Sequence, residues 1–467
     1  MTNKTTSERE IVLAVLLEIL ENDGYSHIVL RDVLNKYQYL EKKERAFITR
    51  VTEGTLEHLI ELDYIIDCFS KTKTQKMKPV IRCILRMSVY QLKYMDSVPV
   101  HAICNEAVKL SVKKGFSGLK GFVNGVLRNV ARNLDQIAYP APSDEVRYLS
   151  VRFSTPEWLI KLWRKTYSLE ILEQMLQAFQ EEKRLTIRCN RNRVQPEELQ
   201  KLLEAEGLCV VRHLYLDYVF QISGFDHLSS LKSFQEGLFT VQDISSILAG
   251  HVAATAFREE CKQSDVNSDS IRAIDVCAAP GGKALHVAEL LEGIGSVEAR
   301  DINEYKVGLL QENIQRSGLH NITAAQQDAK VLDKEWIKQA DLVIADLPCS
   351  GLGVLGKKPD LRFKMTKHLA EELSVLQREI LEVVCQYVKP EGVLLYSTCT
   401  VHAAENEENV HWFLKEHPEF VLADIRPMLP EELHRDVQED GMLQLLPGIH
   451  KSDGFFLAKF RRVGEHR

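Results

Sequence analysis

The second half of the sequence, from about residue 240, alternates between short strand-like runs and longer segments with helical spacing. Strands that alternate with helices are typical of a parallel sheet covered by helices on both faces. The pattern predicts a doubly wound α/β domain over residues 239–463. Ligands of such sheets bind beyond the carboxyl ends of the strands, so a site is expected there. Five runs have the length of one strand, and they lie at 271–276, 295–300, 322–327, 341–346 and 391–396.

The first part of the chain has a different pattern. From Glu8 to Arg132, apolar residues recur at three- and four-residue spacing, which indicates amphipathic helices. Pro140 and Pro142 follow and predict a stiff linker, because proline ends a helix. The sequence therefore predicts an all-α bundle over residues 1–138.

Between these regions the pattern is mixed. A strand is expected at 185–190 and a helix at 196–206, and the strand-like run VVRHLYLDYVFQI follows. Helices that alternate with short strands indicate a small α+β domain, here predicted over residues 145–238. A chain of 467 residues is too long for one core, which agrees with several domains.

Charge is distributed unevenly along the chain. The net charge is −7, yet residues 1–135 carry 21 Lys and Arg against 16 Asp and Glu. Because affinity for a nucleic acid comes largely from neutralised phosphates, the helical domain is the better candidate for binding a polyanion. Solvated helical surfaces show a similar imbalance, so both interpretations stay open.

Cysteine usage and the N-terminus indicate where the protein is located. The ten cysteines include no Cys-x-x-Cys pair and no Cys and His spacing that would hold a metal. The first ten residues are mostly polar, and Glu18 and Glu21 interrupt the apolar run that follows. Neither a signal peptide nor a membrane span is expected. We expect a cytoplasmic monomer with reduced thiols, because no heptad run or unclaimed amphipathic helix is evident.

The segment IRAIDVCAAPGGKALHVAELL (271–291) predicts a strand, a turn of small residues and a helix start. Small side chains let a ligand approach the backbone, and amides at a helix N-terminus favour an anionic group. The turn lacks the GxGxxG pattern of dinucleotide sites, and Ala284 follows it where a phosphate-binding loop has Ser or Thr. A cofactor is expected at the whole turn, which comprises Cys277, Ala278, Ala279, Pro280, Gly281, Gly282 and Lys283.

Acidic residues close the next three predicted strands. Asp301 follows Gly281 by 20 residues, the spacing at which a carboxylate meets ribose hydroxyls. Asp328 is placed to meet the amino group of adenine, and Asp346 ends the fourth strand. Each acid alone is more commonly a helix cap or a solvated loop residue. Together they predict a site for adenosine with an amino-acid tail, which fits S-adenosylmethionine better than a nicotinamide dinucleotide.

Two cysteines lie just beyond adjacent predicted strands, in Pro348–Cys349–Ser350–Gly351 and in Thr398–Cys399–Thr400. A single cysteine after a strand is usually a small buried apolar residue. Both motifs together, behind an Ala-Ala-Pro-Gly-Gly-Lys loop, resemble the RNA (cytosine-5) methyltransferases of the Sun/Fmu type over essentially the whole chain. The resemblance implies a Rossmann-like class I methyltransferase sheet, S-adenosylmethionine as methyl donor, and a cytosine in RNA as substrate.

The chemistry of this family requires a thiol. Carbon 5 of cytosine is a poor nucleophile, and a thiolate that adds at carbon 6 converts the ring into a reactive enamine. By resemblance, Cys399 attacks, Cys349 assists release or proton removal, and Asp346 contacts the base. Relatives that modify DNA attack from the Pro-Cys position, so an exchange of the two cysteine roles stays open. Lys283 is expected to fix the catalytic loops or the cofactor tail.

The front of the chain carries a second resemblance. The segments LRMSVYQLKYM, NEAVKLSVKK and GFVNGVLRN, within residues 85–129, resemble NusB-type antitermination factors, which implies RNA binding. Ser154–Trp158 and Arg188–Asn190 resemble the small domain that precedes the catalytic domain in RNA cytosine methyltransferases. A helical domain fused to this catalytic domain implies small-subunit (16S) rRNA as substrate. The target is expected to be a single-stranded or loop cytosine.

Two other functions stay open. Methylation of tRNA would use the same chemistry. Alternatively, the chain could be an RNA-binding factor with a silent methyltransferase domain, but such a domain would not need both cysteines, the acids and the turn. Lys357, Lys358 and Arg362 are predicted to contact phosphates of the entering RNA, with a solvated loop as the alternative.

Overall fold

The computed structural model describes residues 7–181, 184–263 and 271–464 of the chain. Contacts divide these residues into two compact units. The helical unit comprises the residues up to Glu181 together with Leu355–Met365, and the sheet unit comprises the remainder.

The predicted domain boundaries do not coincide with this division. Residues 145–181 lie in the helical unit and residues 184–238 in the sheet unit, although one domain was predicted over 145–238. Residues 1–6, 182–183 and 264–270 of the predicted domains lie outside the described residues. The three domain boundaries therefore stay a prediction.

The helical unit confirms the predicted all-α pattern. The side chain of Ser7 accepts a hydrogen bond from the Glu10 N–H at the start of the first helix, whose buried face includes Val12 and Ile19. Pro79 is the first residue of the fifth helix. A backbone N–H at this position would have no acceptor within the helix, so the absence of one in proline costs no hydrogen bond. The helices are α1 Glu8–Glu21, α2 Ser26–Lys36, α3 Lys42–Glu57, α4 Leu59–Phe69, α5 Pro79–Tyr94, α6 Val100–Lys113, α7 Lys120–Asn133, α8 Glu145–Arg152, α9 Glu157–Trp163 and α10 Leu169–Ala178.

A small antiparallel sheet with the strand order β2-β3-β1-β4 begins the sheet unit. The predicted strand at 185–190 and helix at 196–206 are confirmed, whereas the run VVRHLYLDYVFQI forms two strands. It turns at His213, whose Nδ1 accepts a hydrogen bond from the Tyr215 N–H. The elements are β1 Leu185–Cys189, α11 Pro196–Ala205, β2 Cys209–Arg212, β3 Val219–Ser223, α12 Lys232–Gln235 and the unpredicted β4 Phe239–Val241.

The larger sheet has the strand order β11-β12-β13-β9-β8-β5-β6-β7, and β10 pairs with β13. Strands β5 to β9 pair in parallel, which confirms the predicted doubly wound core. The closing strand of the sheet, β13, pairs antiparallel with β9. The strands are β5 Ile271–Asp275, β6 Gly295–Asp301, β7 Ile322–Gln326, β8 Ala340–Asp346, β9 Val388–Thr398, β10 Phe420–Leu422, β11 Val437–Gln438, β12 Met442–Leu445 and β13 Phe455–Arg462.

Both faces of this sheet are buried. Ala273 and Leu342 belong to one apolar cluster, and the next residues along the same strands, Ile274 and Val343, belong to another. Alternation between two cores is what a parallel sheet covered on both sides requires. Over the described part of the chain, no helix is long and apolar enough to cross a membrane. The remaining helices are α13 Ile244–Gln263, α14 Gly282–Leu290, α15 Glu304–Ser317, α16 Leu361–Lys364, α17 Lys367–Val384 and α18 Glu407–Glu416.

Candidate active site

The predicted cofactor turn, residues 277–283, connects β5 to α14. Gly281 precedes the helix with a φ of 109°, a left-handed conformation that suits glycine, and its N–H donates to Ala278 O over 2.7 Å. The first N–H groups of α14 have no partner within the helix. Burial raises the pKa of the Cys277 thiol, so this side chain stays neutral. The turn thus offers amide donors beyond the carboxyl end of β5.

Two of the predicted acids end strands on either side of β5. Asp301 ends β6, is buried, and lies 3.4 Å from Lys306 Nζ. Asp346 ends β8 and accepts hydrogen bonds from Lys283 Nζ and Ser397 Oγ, each over 2.7 Å. The structure therefore brings Asp301, Asp346 and the turn together at one edge of the sheet, and Lys283 ties the turn to the end of β8.

The third predicted acid, Asp328, follows β7. Its side chain is half-buried and accepts a hydrogen bond from the Lys330 N–H over 2.9 Å. The carboxylate thus caps its own loop, as the alternative interpretation proposed. Contact with an adenine amino group stays a prediction.

Asp275, at the end of β5, is an acid that the sequence analysis did not single out. It is 1% exposed, and within the described chain neither carboxyl oxygen accepts a hydrogen bond of normal geometry. Burial and then the neighbouring Asp346 carboxylate raise the pKa of Asp275 to about 8, partly offset by the Lys283 ammonium and the nearby Cys277 backbone. Its position at a strand end beside the turn could have identified Asp275 as a site residue from the sequence.

The two predicted cysteines meet beyond the adjacent strands β8 and β9. Cys349 Sγ lies 3.3 Å from Cys399 Sγ, and the Gly353 N–H donates to Cys399 O over 3.1 Å. The hydrogen bond between the sulfurs and then burial hold the pKa of Cys349 well above its ordinary value. Since the thiolate is the nucleophilic form, Cys349 is a poor nucleophile in this arrangement.

The two aromatic residues of the closing strand belong to the core. Phe456 is fully buried, and its ring lies 6.2 Å from that of Tyr396, edge to face. Phe455 is buried beneath Lys283, whose Nζ lies 5.0 Å from the ring centroid. Both phenylalanines therefore pack in the core of the sheet unit.

The prediction that Arg362 contacts RNA phosphates is wrong. Arg362 is fully buried in the helical unit, where its guanidinium donates to the carbonyl oxygens of Phe153, Ser154 and Leu355 over 3.2, 3.2 and 3.3 Å. A cation without solvent contact cannot reach a phosphate. In the same loop Lys357 is exposed and Lys358 half-buried, so both remain candidates.

Family comparisons match three consecutive parts of the chain. The family described as 16S rRNA methyltransferase RsmB/F matches residues 265–461, and the NusB family matches residues 6–132. The ferredoxin-like domain of the RsmF/B-like methyltransferases matches residues 155–225. These matches confirm the three resemblances found in the sequence.

Two relatives are similar over most of the chain. A protein of Bacillus subtilis (strain 168), "Probable ribosomal RNA small subunit methyltransferase B", is 36% identical over 99% of this chain and 100% of its own length. "Ribosomal RNA small subunit methyltransferase B" of Serratia proteamaculans (strain 568) is 31% identical over 90% of this chain and 91% of its own.

Solved structures share the fold. The crystal structure of PH0851 is similar with a TM-score of 0.80 and 25% identity, over 99% of this chain and 100% of that chain. NSun6 from Pyrococcus horikoshii, solved with SFG, has a TM-score of 0.56 and 23% identity, over 66% of this chain and 99% of its own.

Proposed function

Because the chain belongs to the family of 16S rRNA methyltransferases RsmB/F, we propose that it methylates carbon 5 of a cytosine in small-subunit rRNA through a covalent adduct of Cys399. The observation that carries the proposal is the pair of thiols, 3.3 Å apart, at the ends of adjacent parallel strands. Methylation at a ring nitrogen or a ribose oxygen has no need of two thiols at one point, whereas carbon 5 of cytosine does need a thiolate.

Cys399 is the attacking residue in this proposal. Its thiolate forms a bond to carbon 6, and the ring electrons displaced toward carbon 5 make that carbon able to accept a methyl group. A base then removes the carbon-5 proton, the bond between carbon 6 and sulfur breaks, and its electron pair returns to sulfur. The raised pKa of Cys349 supports this order, because a thiol held protonated is a poor attacker.

Cys349 assists release. Its neutral thiol lies 3.3 Å from Cys399 Sγ and can donate a hydrogen bond to that sulfur as negative charge returns to it. A neutral thiol is a poor base, so the proton on carbon 5 leaves to another group. Asp346, whose side chain is 31% exposed, is proposed to contact the base, and Lys283 and Ser397 each donate to one of its two oxygens.

S-adenosylmethionine is the methyl donor, and it supplies an electrophilic methyl group when bound. The residues present fit it: a turn of small residues with amide donors suits its carboxylate, and Asp301 suits its ribose hydroxyls. Asp275 is a buried carboxyl group without a hydrogen bond of normal geometry in the described chain, beside the position of a cationic ligand. Asp328 is proposed to meet the adenine amino group.

The helical unit binds the rRNA around the target, since residues 1–135 carry the excess of Lys and Arg. We propose a monomeric, cytoplasmic enzyme. Its target is an unpaired or loop cytosine, because such a base is already partly unstacked.

The product identifies the reaction. Purified protein is incubated with S-adenosylmethionine and either unmodified small-subunit rRNA or unmodified tRNA, and the RNA is digested to nucleosides for mass spectrometry. The proposal predicts 5-methylcytidine in rRNA and not in tRNA. A methyl group on any other nucleoside would refute the cytosine-5 chemistry, and 5-methylcytidine confined to tRNA would refute the substrate.

A further inference from the structure

Beneath the two cysteine loops lies a buried glutamate, Glu405, which is 0% exposed. One carboxylate oxygen accepts from the Ser350 N–H over 2.8 Å and from Gln377 Nε2 over 3.0 Å. The other accepts from the Ser350 hydroxyl and lies 3.1 Å from His402 Nδ1. Ser350 directly follows Cys349, so Glu405 holds the residue next to one of the two thiols through both its backbone and its side chain.

Asn406, the next residue, holds the other cysteine loop. Its Oδ1 accepts from Thr398 Oγ1 over 2.6 Å, and its Nδ2 donates to Thr400 O over 3.1 Å. Thr398 and Thr400 flank Cys399 on its two sides. Asn406 is fully buried, so these hydrogen bonds are shielded from competing water.

A direct link joins the two loops. The hydroxyls of Ser350 and Thr400, each directly following a cysteine, lie 2.7 Å apart, and both residues are buried. The residues next to each thiol therefore belong to one hydrogen-bonded network, centred on Glu405 and Asn406. We call the dipeptide Glu405–Asn406 the loop clamp.

The chemistry of the clamp calls for a carboxylate at its centre. The Ser350 N–H can only donate, and Gln377 presents its NH₂, because its own Oε1 accepts from Tyr396 and Asn409. A glutamine in place of Glu405 would exchange one of the two acceptor oxygens for an NH₂ group. That group would face the Ser350 hydroxyl and His402 Nδ1, which would both have to accept a hydrogen bond instead of donating one to Glu405.

We propose that Glu405 is a positioning residue for catalysis, which fixes the two cysteine loops so that Cys349 and Cys399 meet at the reacting distance. The inference rests on the proposed cysteine chemistry. Glu405 touches neither sulfur in a hydrogen bond of the described network, but its charge contributes to the raised pKa of Cys349. It therefore acts on both thiols through loop position and on Cys349 also through its protonation.

Three variants test the proposal on the full chain. Glu405→Gln removes the charge and one acceptor, and Ser350→Ala removes the hydroxyl that joins Glu405 to Thr400 while it preserves the backbone. Glu408→Gln is the matched control, because Glu408 is exposed on the neighbouring helix α18. Steady-state methylation of small-subunit rRNA should show kcat at least tenfold lower for Glu405→Gln and at least threefold lower for Ser350→Ala. KM for S-adenosylmethionine should stay within twofold, because within the described residues no hydrogen bond joins the clamp to the cofactor turn.

A second readout needs neither RNA nor turnover. The rate at which iodoacetamide alkylates Cys349 is followed by peptide mass spectrometry, with exposed Cys68 as internal reference. Loss of the Glu405 charge favours the Cys349 thiolate, so Glu405→Gln should raise this rate at least fivefold relative to Cys68, and Glu408→Gln should not. Thermal unfolding identifies any variant that fails to fold, in which case Ser350→Ala decides.

The possible results distinguish a failure of the positioning role of Glu405 from a failure of the proposed methylation chemistry. Folded Glu405→Gln protein with wild-type kcat and wild-type Cys349 alkylation would overturn the positioning role, whatever the chemistry. If Glu405→Gln alters the alkylation rate of Cys349 but the wild-type enzyme forms no covalent adduct with RNA, the loop clamp remains supported. The proposed function, on which its catalytic role depends, would then be refuted.

Discussion

Asp275 makes the sheet unit less stable as the pH rises. Its pKa is raised from an ordinary 3.8 to about 8 in the folded protein, mainly by burial. Above pH 4 the unfolded chain releases this proton while the folded chain retains it until about pH 8. Because the folded state then binds more protons, stability falls across that interval and becomes constant above it.

The size of the effect follows from the pKa difference. Each unit is worth about 1.4 kcal/mol, so the roughly three units between 3.8 and neutral pH amount to about 4 kcal/mol at pH 7. Asp275→Asn removes this cost and keeps a side chain of the same shape with a polar amide in the same buried position. We expect the variant to be more stable than wild type by about 2–4 kcal/mol at pH 7 and by much less near pH 4.

Thermal unfolding of both proteins between pH 4 and pH 9, without cofactor, measures this difference. The Tm of the wild type should fall relative to that of Asp275→Asn as the pH rises to 8, and the two curves should run parallel above pH 8. Parallel curves over the whole range would refute the reasoning, because they would mean that Asp275 has the same pKa in both states.

Three further substitutions address other parts of the structure. Arg362→Met should lower the free energy of unfolding by about 3 kcal/mol, because three buried carbonyl oxygens lose a charged donor. The control, Lys357→Gln at an exposed position of the same loop, should leave Tm unchanged. Equal Tm values for the two variants would contradict the buried role of Arg362. Asp301→Ala should weaken S-adenosylmethionine binding at least tenfold in calorimetry, whereas Glu304→Ala, at an exposed position, should not. An unchanged affinity of Asp301→Ala would exclude a contact between Asp301 and the ribose. Lys283→Met should lower kcat at least tenfold by releasing Asp346, and a wild-type kcat would show that the ion pair is only structural.

Strand ends were the most reliable guide to the site in the sequence. Asp301 and Asp346 could be placed beside the turn because the carboxyl ends of parallel strands lie at one edge of a sheet. The same rule brought Cys349 and Cys399 together, because β8 and β9 are neighbours. These inferences need only the strand pattern and its parallel pairing, both of which periodicity indicates.

Burial of charge could not be foreseen in the same way. Arg362 was assigned to RNA because a charged residue in a polar loop is usually exposed, yet carbonyl oxygens of Phe153 and Ser154, distant in sequence, surround it. Glu405 was missed for a related reason. Its role depends on which groups face it in the folded chain, and a single acid in a sequence carries no sign of its partners.

In the proposed mechanism, Cys399 forms the bond to the base and Cys349 assists its release. Wild-type, Cys349→Ala and Cys399→Ala proteins are incubated with unmodified small-subunit rRNA and labelled S-adenosylmethionine, and denaturing gels score methyl transfer and covalent adduct together. We expect that Cys399→Ala gives neither signal, while Cys349→Ala accumulates a methylated adduct that is released slowly. Methyl transfer by Cys399→Ala, with loss of activity in Cys349→Ala, would contradict the assignment and make Cys349 the nucleophile.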